Sequence, residues 1–225
     1  MGSEGVRALR GLYAVTPAIT DTVLLAERVE QCLAGGAALL QYRAKDAAPD
    51  LALLQARRLA AICRAHGVPF IVNDSIELAM ASGADGVHVG RDDEDARSAR
   101  RALPRGLVGV SCYADLERVR AAAHAGADYV AIGSLFASPT KPGAVRAPLE
   151  LLARAREASG LPVVAIGGIT THNAAQAIAA GADMLAVISA VFDASDVRGA
   201  ARSIARLFDD KLPGPRDARS QPQPL

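Results

Sequence analysis

The tripeptide Gly-Ala-Asp stands at Gly83-Ala84-Asp85, at Gly126-Ala127-Asp128 and at Gly181-Ala182-Asp183. Each copy lies between an alanine-rich helical pattern and a short apolar run, and Gly35-Gly36-Ala37 is a looser copy. Glycine closes a helix well because it accepts the left-handed conformation at the first position past the end. Each unit therefore reads as helix, glycine stop, short loop, strand. Such units in series build a parallel sheet with helices packed outside it.

The apolar runs place strands at 12–15, 39–42, 70–73, 86–89, 107–111, 129–133, 163–166 and 184–188. Helical patterns fall between them at 22–34, 50–66, 76–81, 94–103, 115–125, 149–159 and 171–180, and a last one runs over 197–208. Eight strands alternating with eight helices predict an α/β fold, a single-domain (β/α)8 TIM barrel over residues 9–208. A doubly wound open sheet is the alternative. From Asp209 to Leu225 the chain turns polar and proline-rich, and 209–225 is expected to be a disordered C-terminal tail.

A length of 225 residues, 51% of them hydrophobic, supplies the core for one such domain. A formal net charge of +1 argues against a nucleic-acid partner or a polybasic membrane contact. No apolar run approaches the ~20 residues of a membrane span, and residues 1–10 carry no apolar signal region. Cys32, Cys63 and Cys112 are odd in number and scattered, and His66, His88, His124 and His172 lack metal-ligand spacing. The cysteines read as buried thiols in a reducing compartment, so a cytoplasmic protein acting on small molecules is expected.

The barrel frame sorts the polar residues, since loops after the strands carry chemistry and loops before them carry stability. Asp85, Asp128 and Asp183 all precede strands and fall on the stability side. At the other end, strand 2 runs out through Gln41-Tyr42-Arg43-Ala44-Lys45-Asp46. Alternation puts Gln41, Arg43 and Lys45 on one side, an amide and two cations suited to an anionic ligand. Asp74 follows strand 3 and Asp92-Asp93-Glu94 follow strand 4. Two carboxylates there suit a hard cation such as Mg²⁺, with helix N-capping as the competing use. Ser111 at the end of strand 5 suits a phosphate contact, again with helix capping as the alternative. Strand 6 opens into the longest loop of the core, with Ser138-Pro139-Thr140-Lys141-Pro142-Gly143, and is expected to form a lid. Val163-Val164-Ala165-Ile166-Gly167-Gly168-Ile169 reads as a strand running into a glycine turn. With a helix from Thr171 it would offer backbone N–H groups to a phosphate, together with Ser189 after strand 8. His88 reads as an interior barrel histidine with a satisfied hydrogen bond. Cys112 has no evident base beside it and is not read as a nucleophile.

These segments resemble the thiamine-phosphate synthase family, also called thiamine-phosphate pyrophosphorylase. The matching stretches are Gln41-Tyr42-Arg43-Ala44-Lys45, Asn73-Asp74, Gly86-Val87-His88-Val89-Gly90 on to Asp93, Val110-Ser111, Pro139-Thr140-Lys141-Pro142-Gly143, Ala165-Ile166-Gly167-Gly168-Ile169 and Val187-Ile188-Ser189. Together they keep the family's order and spacing from about Leu12 to Phe208. The resemblance implies an alkyl-transferring enzyme that joins 4-amino-2-methyl-5-hydroxymethylpyrimidine diphosphate to a thiazole phosphate or its carboxylate. The products are thiamine phosphate and pyrophosphate, and Mg²⁺ is required. It implies that Gln41, Arg43, Lys45, Asn73, Ser111 and Lys141 hold the pyrimidine diphosphate. Asp74 and Asp93 hold the metal, and Ser138, Thr140, Gly168, Ile188 and Ser189 hold the thiazole phosphate. Arg43, Lys45 and Lys141 are the residues it implies for catalysis.

The implied mechanism is dissociative, with pyrophosphate leaving before the thiazole nitrogen attacks. The inventory suits it, since no strong nucleophile or base is evident and none is needed. The resemblance leaves open whether the chain is a homo-oligomer. Two departures stand out: Arg91 where the family usually has Gln, and Ser138 where it usually has Thr. A thiazole phosphate tautomerase or a non-catalytic thiazole-phosphate sensor on the same barrel is the alternative reading. The full set Lys45, Asp74, Asp93 and Lys141 favours the synthase. A phosphosugar isomerase would want an acid/base pair at the strand ends, and none is obvious.

Overall fold

A computed structural model of the chain describes residues 9–90, 96–137 and 145–209. Among them the order is β1 (Gly11–Val15), α1 (Thr22–Ala34), β2 (Ala37–Tyr42), α2 (Pro49–His66), β3 (Phe70–Asn73), α3 (Ile76–Ser82), β4 (Gly86–Val89) and α4 (Ala96–Ala102). It continues with β5 (Leu107–Tyr113), α5 (Leu116–His124), β6 (Tyr129–Ile132), α6 (Leu151–Ser159), β7 (Val163–Ile166), α7 (Ala174–Ala179), β8 (Met184–Val187), α8 (Ser189–Phe192) and α9 (Val197–Ala205), ending in a 3-10 turn at Arg206–Phe208. Each strand pairs in parallel with the next, and β8 returns to β1 through Gly11↔Met184 and Ala14↔Val187. The sheet is a closed barrel, so the open-sheet alternative does not hold.

Alternation along the strands splits the apolar residues into two layers. Leu12, Leu40, Val72, Val87, Val130 and Val163 belong to the larger layer between sheet and helices, with Leu25, Val29 and Leu59 from the helices. Tyr13, Leu39, Ile71, Tyr129, Val164 and Met184 fill the barrel interior. Helix ends follow the sequence signals. Asp21 caps α1 by accepting from the Val23 and Leu24 amides, and the repeat glycines Gly83, Gly126 and Gly181 all have positive φ.

The aspartates of the repeat do the same job three times. Asp85 Oδ2 accepts from the Phe70 amide at 2.8 Å, Asp128 Oδ2 from Val108 at 2.7 Å and Asp183 Oδ2 from Val163 at 2.8 Å. Each aspartate also donates its own amide to the carbonyl of that same residue, at 2.8 Å in all three. The carboxylate thus satisfies a strand-end N–H that the parallel ladder leaves unpaired. Arg100 adds an ion pair to Asp128 at 2.5 Å, and Arg156 pairs with Asp183. A cleft of about 320 Å³, lined by Arg10, Gly36, Arg202, Arg206 and Phe208 among others, opens at this same end. It lies at the N-terminal ends of the strands, opposite the mouth where the candidate residues gather.

Several element ends shift by a residue or two from the sequence reading, and two departures have a specific cause. α7 begins at Ala174 rather than Thr171 because Asn173 closes a turn of its own. Its side chain accepts from the Thr170 amide at 2.8 Å and donates to the Gly168 carbonyl at 2.9 Å. The sequence reading also lacks α8, four residues whose short span carries no helical periodicity. The tail beyond Asp209 lies outside the described residues, as do Met1 to Ala8.

Candidate active site at the barrel mouth

The segment after β2 is fixed to the top of β1. The Thr16 amide donates to the Gln41 carbonyl at 2.9 Å, and the Arg43 amide donates to Thr16 Oγ1 at 2.9 Å. A second network backs this rim from outside. Tyr42 donates to Gln55 Oε1 at 2.8 Å, and the Gln55 amide donates to the Ile19 carbonyl at 2.9 Å. Gln41 turns into the barrel and is buried, whereas Arg43 and Lys45 stand past the strand end, Lys45 exposed.

Asp74 does not cap a helix. Ser75 caps α3 instead, accepting from the Leu78 amide at 3.0 Å. The Asp74 carboxylate goes to Lys45, with Oδ2 at 3.0 Å from Nζ. Its backbone is left-handed, with φ 67°. That conformation is held by the Asp74 amide donating to the His88 carbonyl and the Ser75 amide donating to the Asn73 carbonyl, both at 2.8 Å. A non-glycine residue over-determined in this region is a feature of functional turns.

Ser111 does not cap a helix either; Asp115 caps α5 through the Glu117 and Arg118 amides. Ser111 Oγ lies 2.9 Å from His88 Nε2, and His88 Nδ1 lies 3.2 Å from the Tyr129 hydroxyl. Tyr129 meets Tyr13 at 2.7 Å, and Gln41 Nε2 donates to Tyr13 at 2.7 Å. His88 is thus the interior, hydrogen-bonded histidine the sequence predicts. Registers His88↔Gly109 and Gly109↔Tyr129 put an empty position between the two rings. They stack across it with centroids 5.6 Å apart.

At the same end of the barrel, Arg118 of α5 reaches the Gly90 carbonyl at 3.4 Å and the Ser111 carbonyl at 3.3 Å, tying the ends of β4 and β5. Cys112 is fully buried, and burial pushes its thiol up to about 12 despite Arg118 nearby, so it is no nucleophile.

The glycine pair after β7 has φ 102° at Gly167 and 62° at Gly168. A Cβ on Gly168 would stand 2.2 Å from the Ala137 carbonyl oxygen, and one on Gly167 would stand 2.2 Å from Ser134 Oγ. The chain leaving β6 crosses this turn, with the Leu135 amide donating to the Ile166 carbonyl and the Phe136 amide to the Gly167 carbonyl. The glycines are therefore required by the polypeptide's own crossing, and the helix that follows starts too late to abut them. Ile188 precedes α8 and packs against the barrel interior, and Ser189 is the first residue of α8.

Gln41, Arg43, Lys45, Asn73, Asp74, Ser111, Gly168, Ile188 and Ser189 all sit at or just past the C-terminal ends of strands in one closed barrel. Asp93, Ser138, Thr140 and Lys141, with Arg91 and the expected lid, lie outside the described residues. Tyr13, Tyr129, Gln55 and Arg118 were not singled out in the sequence. Strand alternation carries the signal for the two tyrosines, since each occupies an inward position, but nothing in sequence distinguishes them from ordinary core aromatics. Among the described residues no three His, Cys, Asp or Glu side chains gather as a metal group, and no helix is long and apolar enough to cross a membrane.

A closed (β/α)8 barrel whose polar residues crowd the strand C-termini is an enzyme architecture with its site at that rim. Comparison with known proteins narrows the class. The family model described as thiamine monophosphate synthase matches residues 12–191. A thiamine-phosphate synthase of Aromatoleum aromaticum is 57% identical over 202 residues, covering 89% of this chain and 97% of that one. One from Thiobacillus denitrificans is 57% identical over 199 residues, covering 88% and 94%. A solved thiamine phosphate pyrophosphorylase from Pyrococcus furiosus superposes with a TM-score of 0.82 at 36% identity, covering 92% of this chain and all of that one. The chain belongs to the thiamine monophosphate synthase family, alkyl-transferring enzymes of thiamine biosynthesis.

Proposed function

We propose that the chain condenses 4-amino-2-methyl-5-hydroxymethylpyrimidine diphosphate with 4-methyl-5-(2-phosphooxyethyl)thiazole, or its carboxylate, giving thiamine phosphate and pyrophosphate, with carbon dioxide released in addition when the carboxylate is the substrate. The observation that carries the reading is the Lys45–Asp74 pair, 3.0 Å apart at the rim, with Asp74 spared from helix capping. It sets a cation for the diphosphate beside a carboxylate for a metal. The donor set suits Mg²⁺, which takes one or two carboxylates and fills its remaining positions with phosphate oxygens and water. Asp74, with Asp93, would hold it. When bound, the ion offsets the negative charge that the departing pyrophosphate acquires.

Arg43, Lys45 and Lys141 add fixed positive charge around the same leaving group, and Gln41, Asn73 and Ser111 orient the pyrimidine diphosphate. The bond from the pyrimidine methylene carbon to the diphosphate oxygen breaks first, and its electron pair leaves with pyrophosphate. The thiazole nitrogen then gives its lone pair to the methylene carbon, forming the new C–N bond. Ser138, Thr140, Gly168, Ile188 and Ser189 hold the thiazole phosphate so that this nitrogen faces the carbon. No residue need accept a proton in either step. Three free, buried thiols accord with a reducing cytoplasm.

The test mixes both substrates with Mg²⁺ and follows pyrophosphate and thiamine phosphate. Both are expected to form in equal amounts, with no pyrophosphate when the thiazole phosphate or the metal is left out. Pyrophosphate release without thiamine phosphate would mean a hydrolase, and no turnover at all would mean a binding protein.

A further inference from the structure

The barrel interior holds a continuous chain of polar groups: Gln41, Tyr13, Tyr129, His88 and Ser111. Tyr13 is 1% exposed, Tyr129 0%, Gln41 5% and His88 6%, so the two phenols are shut off from bulk water and find their partners in the chain. Burial pushes both phenols well above their ordinary range, so each keeps one proton to place.

We propose that Tyr13, Tyr129 and His88 are positioning residues: a one-directional hydrogen-bond chain starting at the Gln41 amide fixes His88 as its Nε2–H tautomer and so turns the Ser111 hydroxyl proton toward the anionic ligand. The direction follows link by link. Gln41 Nε2 donates to the Tyr13 hydroxyl at 2.7 Å, and an amide nitrogen has no lone pair to accept in return. The Tyr13 proton therefore goes to the Tyr129 oxygen, 2.7 Å away, because a buried hydroxyl left without an acceptor loses its hydration with nothing in return. Tyr129, having accepted, gives its own proton to His88 Nδ1 at 3.2 Å. The imidazole proton is then on Nε2 and is donated to Ser111 Oγ at 2.9 Å. Ser111 is left with its proton to give.

The opposite polarity has the opposite outcome. With the Gln41 carbonyl oxygen toward Tyr13, each link reverses, and the Ser111 proton is consumed by His88. The serine would then present only lone pairs to a diphosphate. The direction of the chain thus decides whether Ser111 attracts or repels an anion. Gly109 makes the chain geometrically available. A Cβ there would fall 2.0 Å from the Tyr129 ring, so a larger residue would displace the phenol that bridges Tyr13 and His88.

This inference rests on the reading that Ser111 meets an anionic ligand, but its first test does not. A long-range ¹H–¹⁵N spectrum of the unliganded protein, with His88 identified by its loss in His88→Gln, should show protonated Nε2 and unprotonated Nδ1. A protonated Nδ1 overturns the proposal whatever the enzyme does. In Tyr129→Phe the Nδ1 donor is gone, and the spectrum should become a mixture of tautomers. That variant should lower kcat/KM for the pyrimidine diphosphate by about 10- to 100-fold, the scale of one charge-assisted hydrogen bond. The KM for thiazole phosphate should not move. In a Ser111→Ala background the same Tyr129→Phe change should cost less than about 2-fold further, since its route is already cut. Full additivity of the two changes overturns the proposal. The expected tautomer in a protein that releases no pyrophosphate would leave the chain standing and remove the functional reading instead.

Discussion

The Lys45 ammonium stands 3.0 Å from the Asp74 carboxylate, and Asp74 reaches it from a left-handed backbone. The pair is partly solvated, with the lysine side chain 52% exposed and the aspartate 23%. An ion pair of that kind contributes at most about 1 kcal/mol to stability. Its worth therefore lies in chemistry. Asp74→Asn keeps a residue tolerant of this backbone and removes the charge. Turnover with Mg²⁺ is expected to fall by about 100-fold or more, while the thermal midpoint shifts by less than about 3 °C. Full activity in saturating Mg²⁺ would falsify the metal assignment.

Gly168→Ala tests the crossing over the β7 turn. The added methyl would meet the Ala137 carbonyl oxygen at 2.2 Å in a backbone with φ 62°, so the turn must open. A loss of about 1–3 kcal/mol in stability is expected. The KM for thiazole phosphate should rise by roughly 10-fold or more, with that for the pyrimidine diphosphate nearly unchanged. Equal effects on both would place the turn between the two substrates rather than beside one.

The carboxylates at the opposite end of the barrel should govern stability alone. Asp85→Ala strands the Phe70 amide, and a cost of about 1–3 kcal/mol is expected. In a domain of this size that corresponds to a thermal midpoint lower by roughly 3–10 °C. Asp85→Asn keeps an acceptor oxygen and should recover most of the loss. At 25 °C kcat should stay within about 2-fold of the parent in both; a larger drop would show that the two ends of the barrel are coupled.

Alkali should unfold the protein earlier than its neutral stability suggests. Burial pushes the thiols of Cys32, Cys63 and Cys112 and the phenol of Tyr42 up to about 12, from 9.0 and 10.0. Tyr13 and Tyr129 are raised as well. A raised acid group keeps its proton in the folded chain while the unfolded chain loses it. The stability these groups contribute is complete below the unfolded values and drains as pH climbs from about 9 toward 12. The urea midpoint should hold steady to about pH 8.5 and then fall. A midpoint unchanged at pH 11 would contradict the burial of these groups.

The barrel was legible because its repeat is a physical unit. Glycine stop and aspartate clamp recur at fixed places, and periodicity does the rest. Gln41 was legible because alternation sets it on one side of strand 2 with Arg43 and Lys45, and Ser111 because it stands at the end of strand 5. The competing uses of Asp74 and Ser111 were not resolvable by spacing, because Ser75 and Asp115 stand close enough to cap the same helices. Tyr13 and Tyr129 escaped notice because only the closed sheet brings residues 116 positions apart into contact. The late start of α7 came from one side chain, Asn173, whose hydrogen bonds replace the first turn of the expected helix.

The three aspartate clamps tie β3 to β4, β5 to β6 and β7 to β8, and none spans the boundary between β4 and β5. A polypeptide severed between Val89 and Leu107 would keep every clamping carboxylate on the same fragment as the amide it holds. The barrel is in this respect two halves that each carry their own fastenings, joined at two seams by sheet pairing and, between β4 and β5, by the Arg118 side chain as well.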